Sequence, residues 1–200
     1  MGTYDDRPCV YMHGYISARL MRLPSKAEEE AGHPGLPVCV AASHFDGLVM
    51  ALAPFHNSYN YRSAVLHGWA KLVADEDERL AALERITNNV VADNWSNCRM
   101  PPTKAELTTT AVLRVEVETA SAKVRIGGPD DDRADLRNED VVGRFWTGVV
   151  PAWVQYGEPV ESDHNKVAKV PDYFKTFLQT QNEKNKEVAI KAVEPPPKKK

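Results

Sequence analysis

The chain is organised around Tyr59 to Val73, YNYRSAVLHGWAKLV, which neither a proline nor a turn pair interrupts. Side chains alternate between the two faces of a strand. Tyr59, Tyr61, Ser63, Val65, His67, Trp69, Lys71 and Val73 therefore share one face, and Asn60, Arg62, Ala64, Leu66, Gly68, Ala70 and Leu72 the other. An ordinary strand has about five or six residues, so this one is predicted to bend through a barrel, with Gly68 as the bend or the point of close approach. Asn60, Arg62 and Ser63 crowd its first half and the second half is mostly apolar. The first half reads as site, the second as core.

Further elements surround this strand. Arg7 to His13 is a short apolar strand that begins almost at Met1, with no earlier segment expected to cover its edge. After Gly14, Ile16 to Leu23 has the spacing of one or two helical turns that Pro24 stops, and Ser25 to Gly35 reads as a polar loop. Leu36 to Ser43 and Gly47 to Ala53 are two apolar runs separated by His44-Phe45-Asp46-Gly47, where Asp-Gly signals a hairpin. Asp75 to Val91 is the clearest helix, with Asp75 as cap, Glu78 at the capping-box position and Leu80, Leu83, Ile86 and Val90 at helical spacing. Thr103 caps a short helical turn with Glu106 three residues on, and Thr109 to Thr119 alternates as a half-buried strand that Ser121 to Ile126 continues. Asp130 to Asp140 is loop-like, Trp146 to Tyr156 is an edge strand because of Pro151, and Pro171 opens an amphipathic helix. Strands predominate without a βαβ rhythm. The fold class is therefore mainly β (α+β), a small barrel with accessory helices. Residues 1–160 are read as the barrel domain, 161–190 as a C-terminal helical extension and 191–200 as a disordered basic tail.

Composition narrows the function. The 200 residues carry 25 Lys and Arg against 28 Asp and Glu, a formal charge of −3, which gives no general electrostatic case for nucleic acid. Cys9, Cys39 and Cys98 are odd in number and widely spaced, favouring free thiols in a reducing compartment over disulfides or structural zinc. No apolar run approaches the roughly 18 residues of a membrane helix, and the N-terminus lacks a signal-peptide profile. A soluble cytoplasmic protein without membrane or nucleic-acid partners is expected.

Four chemistries can be weighed on the residues alone. His13-Gly14 followed by Arg19 and Arg22 sets a strand end and a helix start beside two guanidiniums, which suits a phosphate. His44, His56 and His67 show no HxH or HExxH pairing, so no metal site is expected. A Ser/His/Asp hydrolase lacks a GxSxG turn, and Trp69, Trp146 and Trp153 suit either a planar ligand or the core.

Taken together, YMHGYISARLMRL at 11–23, FDGLVMALAPFHNSYNYRSAVLHGWAKLV at 45–73, ELTTTAVLRVEVETASAKVRIGG at 106–128 and GVVPAWVQYGEPV at 148–160 resemble the pyridoxamine 5′-phosphate oxidase-like flavin-binding split barrels. The similarity is to the branch labelled nitroimidazole-resistance or flavin-nucleotide-binding protein. The resemblance implies an FMN-binding split β-barrel, a homodimer with FMN in clefts at the subunit interface, and a flavin-dependent oxidoreductase acting on a small molecule. It implies that Arg19 grips the FMN phosphate, with Ala18 and Leu20 standing where the family has Ser and Lys, and that His13 and Gly14 form the preceding strand end. Ser63 takes the flavin-facing position with Arg62 beside it, Asn60 and Tyr61 belong to the same motif, and Lys123 lies near the cleft. His56 and His67 are the acid–base candidates, and no catalytic residue is assigned. The family's leading strands precede the His-Gly motif at which this chain begins, so the barrel is expected to be incomplete at its N-terminus. A non-catalytic or truncated flavin-binding interaction protein, or a split barrel holding haem or a deazaflavin, are the alternatives.

Overall fold

The computed structural model describes residues 2–4, 7–31 and 34–195, with side chains placed at 7–27 and 34–195. The lysine-rich stretch 196–200, within the expected tail, lies outside the described residues. The strands are β1 (Gly2–Tyr4), β2 (Arg7–Tyr15), β3 (Leu36–Met50), β4 (Ser58–Leu72), β5 (Thr110–Arg125) and β6 (Gly148–Pro151). The helices are α1 (Arg19–Ala31), α2 (Glu76–Val90), α3 (Lys104–Thr109), α4 (Arg133–Leu136), α5 (Glu139–Val142) and α6 (Asp172–Lys191). The strands form one sheet in the order β1-β2-β5-β4-β3-β6, an open order among the described residues. The expected mainly β, α+β split-barrel fold stands.

Four local expectations are corrected. β2 has a neighbour on its outer side: β1 pairs with it antiparallel, Gly2 opposite Cys9 and Tyr4 opposite Arg7. α1 does not stop at Pro24 but continues to Ala31. Pro24 is fully buried, and the residues beyond it, Lys26-Ala27-Glu28-Glu29-Glu30-Ala31, are strong helix formers, which together outweigh the lost amide bond. The Asp46-Gly47 hairpin does not form: 36–50 is one continuous strand. Asp46 takes part in a side-chain interaction with β4, described below, and Gly47 lies where an added Cβ would come 2.8 Å from the Val150 carbonyl. The last strand is only four residues long, Gly148–Pro151, at the edge of the sheet, and beyond it the Ala152 amide still donates to the Asp46 carbonyl at 3.0 Å.

The chain divides into two compact units, residues 1–41 with 65–121, and 42–64 with 122–200. In the first, β2 and β5 pair with Val10 opposite Val115 and His13 opposite Val112. Alternation sends Ala111, Leu113 and Val115 of β5 to one side, where they pack with Met21 and Ala70, and Val112 to the other, where it meets Val73 and Ala82 of α2. Both faces of β5 are therefore buried at this point. Gly68 sits so close to β5 that an added Cβ would come 2.0 Å from the Glu116 carbonyl, as its reading as a close-approach point anticipated. α2 begins as expected, with the Asp75 side chain accepting from the Glu78 amide at 2.7 Å. α3 carries the full capping box between Thr103 and Glu106.

In the second unit β6 pairs with β3, Gly47 opposite Pro151 and Met50 opposite Gly148. Its buried residues include Val49, Ala189 and Ala192, and two polar ones, Asp46 and Asn60. Asparagine side chains of α6 hold the irregular stretch after β6. Asn182 exchanges hydrogen bonds with the Tyr156 backbone at 2.7 and 3.0 Å, and Asn185 donates to the Val154 carbonyl at 2.8 Å.

Candidate functional site

His13, Gly14 and Arg19 belong to the first unit. β2 delivers His13, exposed, and Gly14, which leaves room for the end of the Met21 side chain, 2.7 Å from where a Cβ would stand. The chain then turns, the Ile16 amide donating to the Thr109 carbonyl at 2.9 Å and the Ala18 amide to the Tyr15 carbonyl at 2.8 Å, and α1 begins at Arg19. First-turn amides of a helix lack intrahelical acceptors and attract negative charge, and α1 has no acidic residue in its first turn. Arg19 and Arg22 are both exposed, and neither has a hydrogen-bond or ion-pair partner among the described residues. Three residues apart, they lie on one side of the helix. This is an arrangement that can take an anion.

Asn60, Tyr61, Arg62, Ser63 and Lys123 belong to the second unit, and β4 divides them between its faces. On one face the Lys123 ammonium stands 5.8 Å from the Tyr61 ring centroid, and the Ser63 hydroxyl donates to the Lys123 carbonyl at 3.3 Å. Lys123 has no carboxylate partner among the described residues. Tyr61, Ser63 and Lys123 are thus brought together as a ring, a hydroxyl and a cation.

Asn60 and Arg62 point to the other face, where they are engaged within the protein. The wholly buried Asn60 carboxamide donates to the carbonyls of Gly127 at 3.1 Å and Ala192 at 2.9 Å, and accepts from Arg125 Nη1 at 2.7 Å. It ties β4 to the end of β5 and to the C-terminal end of α6, with Gly127, at φ 91°, also donating its amide to Ala192 at 2.8 Å. Arg62 donates Nε–H and Nη2–H to the two oxygens of the buried Asp46 carboxylate, at 2.8 and 2.9 Å. Hydrogen bonding to Asp46 raises Arg62 above the ordinary guanidinium range, against the opposing effect of burial. Asp46 and Arg125 were not among the residues singled out in the sequence: Asp46 carried a turn signal, and Arg125 sat in a strand with no visible partner.

Of the two acid–base candidates, His67 lies exposed in the first unit, lining an open pocket with Cys39, Gly68, Trp69 and Glu118. His56 lies in the second unit in the 3-10 turn 54–56. Its Nδ1 is buried without a hydrogen-bond partner among the described residues, and its Nε2 is 4.0 Å from Asp132. No group of three or more metal-ligating side chains occurs among the described residues, and none of their helices is long and apolar enough to cross a membrane.

The family described as pyridoxamine 5′-phosphate oxidase matches residues 2–124, more than half of the chain. The chain belongs to this family. Among solved structures, this pyridoxamine 5′-phosphate oxidase family member is similar to a flavocytochrome from Azotobacter vinelandii, with 31% sequence identity over 84% of this chain and 72% of that one, and a TM-score of 0.68. It is also similar to the FAD and heme binding protein from Mycobacterium smegmatis, with 28% identity over 85% of this chain and 77% of that one, and a TM-score of 0.70. No curated protein matches the chain.

Proposed function

We propose that this chain is a flavin-binding protein that acts as a flavin-dependent oxidoreductase on a small molecule. The observation that carries the reading is the Arg19 and Arg22 pair, two exposed guanidiniums without partners among the described residues at the start of α1, in a chain of this family. They fit a flavin phosphate, and His13-Gly14 supplies the strand end from which the helix starts. In the second unit, taken by itself, Tyr61, Ser63 and Lys123 offer a polar ligand a hydroxyl for hydrogen bonding and a cation to balance negative charge. When bound, the flavin would supply hydride and single-electron chemistry, and Arg19 and Arg22 would hold its phosphate. FMN is the simplest flavin for such a site, and the likeness to an FAD and heme binding protein makes FAD the competing nucleotide.

The test is an absorbance and fluorescence titration of the purified protein with FMN and FAD, repeated on Arg19→Ala. A flavin signature that weakens about tenfold in the variant supports the reading; saturable binding by neither nucleotide refutes it. Turnover of a nicotinamide donor with a quinone or nitro-compound then separates an enzyme from a non-catalytic flavin carrier. A homodimer with the flavin at the subunit interface belongs to the same proposal, and the exposed apolar residues Leu48, Met50 and Val150 of β3 and β6 are consistent with it. Light scattering with sedimentation reads the oligomeric state directly.

A second reading adds haem, because both solved relatives are named for a haem or cytochrome. A neutral imidazole nitrogen is a haem ligand, and the buried His56 Nδ1 has no hydrogen-bond partner among the described residues. Reconstitution with haem would give a Soret band that shifts in His56→Ala. An identical band in the variant excludes His56 as ligand.

A further inference from the structure

The face of β4 that turns away from Tyr61 and Ser63 carries an arginine with a free outer edge. A guanidinium has five N–H donors, and Asp46 takes two of Arg62's, one on Nε and one on Nη2. The other three, on Nη1 and Nη2, have no partner among the described residues. They form the fork that matches the two oxygens of a carboxylate or phosphate. The Arg62 side chain is 43% exposed, whereas that of Asp46 is 5% exposed.

Asp46 is held firmly. Its own carbonyl accepts the Ala152 amide at 3.0 Å, and the adjacent Gly47 is closed in by β6. Burying a carboxylate to pair it with arginine is a poor way to join two strands, since apolar residues of the same volume usually do as well. What the pair adds is direction: the guanidinium plane is fixed from below while its outer edge faces solvent.

We propose that Arg62, positioned by Asp46, is an oxyanion-binding residue whose Nη1–Nη2 edge receives the carboxylate or phosphate group of a small-molecule ligand. The site goes beyond the flavin reading, because its side chain leaves the opposite face of β4 from Tyr61 and Ser63. Asp46 neutralises the charge of the pair, so recognition rests on two parallel N–H groups rather than on net attraction. A lysine at position 62 would keep the charge and lose the fork.

The test follows the arginine side-chain N–H signals of the full chain by NMR while inorganic phosphate, and separately acetate, replaces chloride at constant ionic strength. The Arg62 signals should shift saturably. Saturation by phosphate alone assigns a phosphate ligand, and saturation by acetate a carboxylate. Binding measured by calorimetry should weaken about tenfold in Arg62→Lys and in Asp46→Asn, with thermal unfolding checking that each variant is folded. Because Arg62 is half-exposed, Arg62→Lys keeps the test decisive if Asp46→Asn does not fold. No saturable shift with either anion, or undiminished affinity in Arg62→Lys, overturns the proposal. Undiminished affinity in folded Asp46→Asn overturns the positioning role of Asp46.

Discussion

Replacing Asn60 by alanine should be among the more damaging single changes in the second unit. The side chain is completely buried, and its amide meets three partners from two other segments of the chain, Gly127, Ala192 and Arg125. The losses are unequal. The Ala192 carbonyl keeps the Gly127 amide at 2.8 Å, and Arg125 keeps the Gly128 carbonyl at 3.2 Å. The Gly127 carbonyl loses its Asn60 donor, and a buried polar group left unpaired costs about 1–3 kcal/mol. The vacated volume adds about 1 kcal/mol. Together these give about 3 kcal/mol, and for a chain of this size each kcal/mol lowers Tm by about 2–4 °C. Thermal unfolding by circular dichroism should therefore show a fall of about 6–12 °C, with a matching decrease in the urea midpoint. Asn57→Ala is the control: its carboxamide oxygen accepts one exposed bond, from the Ala51 amide at 2.8 Å, and the change should cost about 1 kcal/mol at most. Equal, small effects of the two substitutions would mean that the Asn60 bonds do not hold α6 and β5 to β4.

Three further outcomes follow from the first unit. Glu78, whose side chain is 8% exposed, accepts from Tyr11 at 2.9 Å and from Arg114 at 2.8 Å, so Glu78→Ala removes one of the carboxylate partners of Arg114, Glu116 at 3.1 Å remaining, and should cost about 2 kcal/mol in a urea titration. Gly68→Ala drives a Cβ into the Glu116 backbone carbonyl, which no rotamer change can relieve, and should cost more than about 4 kcal/mol or abolish soluble expression; a normal Tm would contradict the close approach of β4 and β5. Arg99, with help from the Thr103 amide and hydroxyl, holds Glu106 down to about 2, below its ordinary value of 4.5. A depressed carboxyl contributes stability above its unfolded value that is lost as pH falls through the folded one. The amide signals of Thr103 and Glu106 should thus mark fraying of α3 between pH 4.5 and 2, a transition that Glu106→Gln removes.

Much of the fold was legible because its signals are local. The cap at Asp75, the Thr103–Glu106 capping box, the long run of β4 and the close approach at Gly68 each depend on residues within a few positions, or on the plain lack of a side chain. The errors arise where a distant group decides. Pro24 terminates a helix by its own chemistry, yet it is buried inside α1, because packing and the helix formers after it outweigh one missing hydrogen bond. β6 is shorter than its apolar run because pairing with β3 covers only Gly47–Met50.

The Asp46-Gly47 pair shows most directly why the candidate site was only partly readable. In isolation Asp-Gly favours a turn, since the pair tolerates positive φ and aspartate bonds to its own backbone. Here a guanidinium sixteen residues later competes for the same carboxylate, and a charge-assisted bidentate pair is stronger than a local turn contact. Nothing within the four residues of a turn reveals that competitor. The alternation along β4 already placed Asn60 and Arg62 on one face and Tyr61 and Ser63 on the other. What the sequence lacked was the identity of the groups facing them. Those groups show Asn60 joining three segments and Asp46 paired with Arg62, with the remaining Arg62 N–H groups lacking a partner among the described residues.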